Sequence, residues 1–201
     1  MAFQYLLGAT AVGIVARDGV ILASEKRLSY GGYILSRRAK KVFRIADRIG
    51  FACAGLVSDM QSLADLIRAE IRILELELSR PASVRSAAKL TSNILIYHRM
   101  YPLLTEIIVG GYDRDEGYSL YVLDPLGVVL PDNYTALGSG AEVAIGIIES
   151  GYRKDIGMMD ARELAVKSIK AASMRDATSG DGIDLLLISE NDVKEEFVPV
   201  F

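Results

Sequence analysis

Apolar segments in this chain arrive in matched pairs, strand-like runs together and then helix-like runs together, and that order constrains the fold more than any single motif does. Residues 10–17 and 20–26 are β-rich and flank Asp18-Gly19, a pair suited to a type I′ hairpin turn. Residues 42–45 and 49–54 form a second pair around Ala46-Asp47-Arg48. Between about 58 and 76, Met60, Leu63, Ile67, Ile71 and Leu74 recur at three- and four-residue spacing, which gives a helix one apolar face. Pro81 ends that helix, Ser83 is placed to N-cap the next, and Val84, Ala87, Ala88, Thr91, Ile94, Leu95 and His98 carry the helical period to about residue 99. Strand patterns return at 106–112 and 118–123 around Asp115-Glu116-Gly117, with shorter ones at 128–130 and 134–137. After Gly138-Ser139-Gly140 come two more helices, 141–149 and 160–175, and then strands 183–188 and 193–198 around Glu190-Asn191-Asp192. A doubly wound parallel sheet needs strands and helices to alternate one by one. Hairpins and helix pairs instead predict an α+β fold with two antiparallel sheets face to face and helix pairs outside.

The chain of 201 residues is 51% hydrophobic and 24% charged, which excludes a disordered polymer. No composition shift marks a domain boundary. A net charge of −3 gives no electrostatic reason to expect nucleic acid or an anionic membrane as partner. The first 16 residues are apolar but have no positive charge near their start, unlike a secretory signal, and no uncharged apolar run reaches the roughly 18 residues that span a bilayer. One Cys and one His exclude an internal disulfide and argue against a zinc site. Mean hydropathy is +0.26, which suggests surface buried against other subunits.

Most isolated motifs have ordinary explanations. Gly138-Ser139-Gly140 resembles the start of a dinucleotide loop, but position 143 is Val, so a tight turn before a helix accounts for it. His98 lies on a helix with no ligand or nucleophile at useful spacing, which argues against both a metal site and a Ser-His-Asp triad. Cys53 sits in an apolar strand and reads as a buried, inert thiol. The informative set lies in the first 60 residues: the hydroxyl of Thr10 opening the first strand, Glu25 on the second with Arg27 on its face, and Lys40-Lys41 before the third. A lone Lys at a strand end is ordinarily a solvated charge, so this set speaks only through its context.

That context is an ordered series. Val12-Gly13-Ile14, Asp18-Gly19-Val20-Ile21-Leu22-Ala23, Glu25-Lys26-Arg27, Lys40-Lys41-Val42-Phe43-Arg44-Ile45 and Ala54-Gly55-Leu56-Val57-Ser58-Asp59 together resemble a proteasome β subunit, most nearly the archaeal type. Gly138-Ser139-Gly140 and Arg175-Asp176-Ala177-Thr178-Ser179-Gly180-Asp181-Gly182-Ile183-Asp184 extend the likeness, which runs from about residue 8 to 190. The resemblance implies a four-layer αββα sandwich of the N-terminal-nucleophile (Ntn) hydrolase class, with residues 9–201 as one domain behind a propeptide-like extension, 1–8. It implies threonine endopeptidase activity on unfolded polypeptides, without cofactor or metal, in the cytoplasm. The partners it implies are β subunits in a seven-membered ring, α subunits in flanking rings and, indirectly, an unfolding ATPase, with no nucleic acid and no membrane.

In that family the nucleophile is a Thr that becomes the first residue when the propeptide is cut off after a Gly. A Thr hydroxyl needs a base, and a free α-amino group with a pKa near 8 can serve. The matching motifs make Lys41 the activating cation and Glu25 the carboxylate that holds it. Gly55 offers an N–H to the oxyanion, and Ser139, Asp176 and Ser179 orient the Thr and its amine. Leu28, Cys53, Gly55 and Val57 would line the pocket for the residue before the scissile bond. The small apolar Cys53 at its base would favour hydrophobic side chains, while Ser29 and Gly55 would pair with an extended peptide. The sequence departs from the family at the decisive place. The family reads Gly-Thr-Thr-x-Val-Gly, whereas this chain reads Gly8-Ala9-Thr10-Ala11-Val12-Gly13, so Ala9 stands at the nucleophile position. Two explanations are open: a naturally non-catalytic ring subunit beside an active paralogue, or a Thr-to-Ala change introduced to block processing. Gly8 favours the second, and similarity of Leu28-Ser29-Tyr30-Gly31-Gly32-Tyr33 to non-catalytic crenarchaeal β subunits favours the first. A third, Thr10 as nucleophile, would put the hydroxyl on the opposite face of the strand. A small-molecule Ntn hydrolase is disfavoured because residues 58–99 match a ring subunit.

Overall fold

A computed structural model describes residues 8–30 and 33–200. Most of the expected extension, residues 1–7, lies outside the described residues, as does the Gly31-Gly32 pair. Strands β1 (Ala11–Ala16), β2 (Gly19–Glu25), β3 (Leu28–Tyr30), β4 (Tyr33–Ser36), β5 (Val42–Ala46) and β6 (Ile49–Gly55) precede helices α1 (Val57–Leu78) and α2 (Val84–Tyr97). Then come β7 (Thr105–Asp113), β8 (Gly117–Leu123), β9 (Leu130–Pro131), β10 (Tyr134–Leu137), α3 (Ala141–Gly151), α4 (Met158–Ser173), β11 (Ile183–Ile188) and β12 (Val193–Val198). One five-stranded antiparallel sheet has the order β10-β1-β2-β11-β12, the other β5-β6-β7-β8-β9.

Strand alternation sorts the apolar residues into three layers. Val12, Ile14, Ile21, Ala23, Ile183 and Leu185 turn toward α3 and α4, where Ala161, Ala165 and Ile169 meet them. Phe51, Cys53, Ile107 and Val109 turn toward α1 and α2 and pack on Met60, Leu63, Ile67 and Leu95. The opposite faces of the same strands, with Ala11, Leu22, Ala52, Ile108, Leu120 and Leu186, meet between the sheets. Three apolar layers separate four structural ones, the expected αββα sandwich. Glycines let the sheets approach: Leu22 reaches over Gly13, Gly50 and Gly110, three positions where a β-carbon would meet its branches.

The helix periods hold. Met60, Leu63, Ile67 and Ile71 are buried on α1, and Ser83 N-caps α2 by accepting the Ser86 N–H. Three local expectations change. The β1–β2 turn is made by Arg17-Asp18, not Asp18-Gly19, because Ala16 pairs with Gly19, and neither turn residue has positive φ, so it is not type I′. Bonds from outside hold it instead: Arg17 N–H donates to Ile156 O and Met158 N–H to Asp18 Oδ1. The strand expected at 128–130 is Leu130–Pro131. The β3–β4 hairpin was not anticipated; its half-exposed side chains give no buried alternation to read.

Truncating Leu22 would leave a hole between the sheets that the strand backbones cannot collapse to fill. Leu22→Ala should cost about 2–5 kcal/mol in a urea unfolding titration.

Candidate active site

The start of β1, the ends of β2 and β6 and the loops before α3 and β11 meet at one end of the sandwich. Gly138, with φ 89°, lies against Ala9 O and Ala54, and Gly140 lies against the Thr10 hydroxyl. Loop 138–140 therefore closes onto the entry to β1 as only small residues allow. Glu106 fixes its other side by accepting the Gly138 N–H at 2.9 Å.

A chain of hydrogen bonds then runs through the hydroxyl residues. The Ala9 N–H donates to Ser139 Oγ at 3.1 Å. Ser139 and Ser179 each donate to Asp176 Oδ2 at 2.6 Å. Thr178 Oγ1 stands 2.8 Å from both Ser139 Oγ and Asp176 Oδ1. The Asp176 side chain also accepts the Thr178 N–H, a local turn of the kind aspartate favours. Burial pushes the Asp176 carboxyl up, but the donors from Ser139, Ser179 and Thr178 outweigh it and hold the group below the usual range. Ser179 Oγ is bonded to Thr10 Oγ1 at 2.8 Å.

Beside this chain lies a buried ion pair. Lys41, which a strand-end position alone would leave solvated, is 1% exposed and paired with Glu25, which is 0% exposed. Its neighbour Lys40 is the solvated one, paired at the surface with Glu195. The Lys41 ammonium donates to Glu25 Oε1 and to Arg27 O at 2.6 Å. Glu25 Oε2 accepts the N–H groups of Arg27 at 2.6 Å and Gly180 at 3.1 Å. Burial pushes the Glu25 carboxyl up, against the pull of Lys41 and the two backbone donors. The Arg27 side chain does not share Glu25's face as expected. It lies past the end of β2 and reaches Asp181 and Ala177 O instead.

Backbone register gives Gly55 its role in the geometry. Leu56 N–H bonds Leu104 O and Cys53 N–H bonds Lys41 O. Gly55, between them, is opposite Thr105 in a non-hydrogen-bonded pair, so its N–H turns from β7 toward the edge beyond the start of β5. Cys53 is 1% exposed, and burial pushes its thiol up, as expected of an inert cysteine. Val57 joins the same apolar cluster, whereas Leu28 and Ser29 sit half-buried on β3, outside it. A surface groove of about 730 Å³ between Arg44–Asp47 and Arg72, Leu76 and Arg80 touches none of these residues.

A family profile described as Proteasome subunit matches residues 5–188 of the chain. The chain belongs to the proteasome subunit family. Proteasome subunit beta 2 of Pyrobaculum arsenaticum is 51% identical over 200 residues, covering 100% of this chain and 98% of its own. Proteasome subunit beta 1 of Hyperthermus butylicus is 49% identical over 198 residues, covering 98% and 97%. Proteasome subunit beta 2 of Thermofilum pendens is 49% identical over 195 residues, covering 97% and 95%. Within the family the chain is thus similar to archaeal β subunits of the core particle, and the family is one of proteases. Three residues that sequence reasoning did not assign to the site also hold it: Asp181, Thr178 and Glu106. Only the first two stood inside quoted motifs; nothing local marks Glu106.

Removing the cation should strand a buried carboxylate. Lys41→Met should cost about 3–5 kcal/mol in urea unfolding, and Glu25→Leu added to it should recover most of that loss. Asp181 gives the acid limit, since Arg27 and Arg37 hold its carboxyl below the usual range. The stability it contributes is full above an unfolded value of about 3.9 and is lost as pH falls through the lower folded value. Asp181→Asn should therefore flatten the stability–pH curve below about pH 4, measured by unfolding titrations across that range.

Proposed function

We propose that the chain is a β subunit of the proteasome core particle that holds a threonine-peptidase site complete except for its nucleophile. The observation that carries this reading is the Ala9 N–H seated on Ser139 beside the buried Lys41–Glu25 pair, with a methyl group where the attacking oxygen belongs. Lys41 is the activating cation: two of its three N–H groups have partners in Glu25 and Arg27, and the third is without one among the described hydrogen bonds. Glu25 anchors it. Ser139, Asp176 and Ser179 hold the main chain at residue 9, and Gly55 is the oxyanion donor. Leu28, Cys53, Gly55 and Val57 form the pocket, and Ser29 with Gly55 aligns an extended, unfolded polypeptide.

Residues 1–8 are a propeptide-like extension and 9–201 the functional domain. The chain works in the cytoplasm in a seven-membered β ring beside α rings, and an unfolding ATPase supplies substrate. No helix among the described residues is long and apolar enough to cross a membrane. A second reading, a structural subunit beside an active paralogue, draws support from relatives numbered beta 1 and beta 2.

As written, the chain should keep residues 1–8 and hydrolyse no peptide. Ala9→Thr should restore both events together, loss of residues 1–8 by mass spectrometry and peptidase activity favouring hydrophobic residues before the cut. Adding Lys41→Ala should abolish activity again, by on the order of 10⁴-fold or more. Cleavage chiefly after Asp or Glu would refute the pocket. Processing without activity in an assembled particle would favour the structural reading. Light scattering with an α-type partner should report a ring-sized particle; a stable monomer under every partner condition would oppose the assignment.

A further inference from the structure

Thr178 stands at a place where it governs the residue before Ala9. A β-carbon built on Gly8 would lie 2.9 Å from Thr178 Cβ and 3.0 Å from its Oγ1. Real β-carbons do not come that close, so one side must move. Thr178 is ill suited to move. Its β-carbon is one bond from the backbone, its χ1 is restricted by branching, and its hydroxyl lies 2.8 Å from both Ser139 Oγ and Asp176 Oδ1. A side chain at position 8 would therefore meet Thr178.

We propose that Thr178 is the specificity-determining residue that requires glycine at position 8 and fixes the 8–9 peptide bond. It acts on both sides of that bond. Its side chain fills the space that a β-carbon on Gly8 would need, and its hydroxyl meets the same Ser139 oxygen that accepts the Ala9 N–H. The consequence for self-cleavage rests on the function proposed above. In an Ala9→Thr protein the restored hydroxyl would add to the Gly8 carbonyl carbon and give its proton to the departing residue-9 nitrogen, forming an ester. Water would then hydrolyse that ester to a Gly8 carboxylate and a free N-terminus. A side chain at position 8 would displace the carbonyl carbon from the attacking oxygen, and a shift of about 1 Å can cost on the order of 100-fold in rate.

The test measures Gly8→Ala in three backgrounds: Thr178, Thr178→Ser, which keeps the β-carbon and hydroxyl, and Thr178→Gly, which removes both. The first arm uses the full chain with Ala9 unchanged and follows cutting near residue 8 by an added non-specific protease, read by mass spectrometry. Gly8→Ala should speed cutting about tenfold with Thr178 and equally with Thr178→Ser, and less than about twofold with Thr178→Gly. An equal effect in all three backgrounds, or none in the first, would overturn the proposal. The second arm repeats the series in Ala9→Thr protein and follows loss of residues 1–8. There Gly8→Ala should slow processing about 100-fold except in the Thr178→Gly background; equal slowing in all three would also overturn it. Failure of Ala9→Thr itself to process would refute the proposed peptidase site and leave the first arm to decide Thr178.

Discussion

A lysine ammonium sealed from solvent must be matched at once by a counter-charge and hydrogen-bond acceptors, and the two sheets join around that requirement. Glu25 ends β2 in one sheet, while Lys41 precedes β5 in the other. Their pair is therefore a cross-sheet tie as well as a polar site. Desolvating both ions costs several kcal/mol each unless the geometry is good and the remaining valences are filled. Here all but one N–H of Lys41 are matched, largely from the main chain: Arg27 contributes its O to Lys41 and its N–H to Glu25, and Gly180 contributes a second N–H. Each of these atoms belongs to a segment entering or leaving the sheets, so satisfying the ions fixes where residues 26–27 and 180 run. The Arg27 guanidinium on Asp181 and Ala177 O closes the same loop from outside.

Legibility followed periodicity. On α1 and α2 the apolar stripe was readable because one face packs on a sheet and the other is exposed, and a 3.6-residue period survives only under that asymmetry. β11 was readable for a different reason, as a nearly continuous apolar run buried on both faces, and β12 follows it across a polar turn. The β1–β2 turn misled because its geometry is set by Ile156 and Met158, about 140 residues away along the chain. Asp-Gly propensity is a local signal and loses to such contacts. The β3–β4 hairpin was silent because neither of its faces is buried.

The site divided along the same line. Composition and spacing allowed a solvated Lys41, and only its arrival beside Glu25 makes it a buried ion. The partnership of Glu106 with Gly138 is set by register across β6 and β7, which no motif encodes. The choice between Ala9 and Thr10 was decidable in advance, because adjacent strand residues face opposite ways. Ala9 and Ala11 lie in the layer between the sheets, whereas Val12 and Ile14 point to α3 and α4, and Thr10 shares their parity. Its hydroxyl is engaged with buried Ser179. A nucleophile cannot be moved one residue along this strand without turning it away from the inter-sheet side.

The surroundings of Ala9 carry a final physical point. Its methyl lies among apolar neighbours between the sheets, a setting that an alanine fills without unmet hydrogen bonds. A hydroxyl there would cost about 1–3 kcal/mol if it found no partner. The nearby Lys41 ammonium has one N–H beyond those given to Glu25 and Arg27. Were Lys41 and Glu25 present only to stabilise the sandwich, well-packed apolar side chains could do as well or better by about 1–4 kcal/mol. Stability therefore does not explain them. What they supply that apolar residues could not is a buried cation with an N–H to spare, near the start of β1. That provision suits an oxygen at position 9, and the chain keeps all of it around a residue that has none.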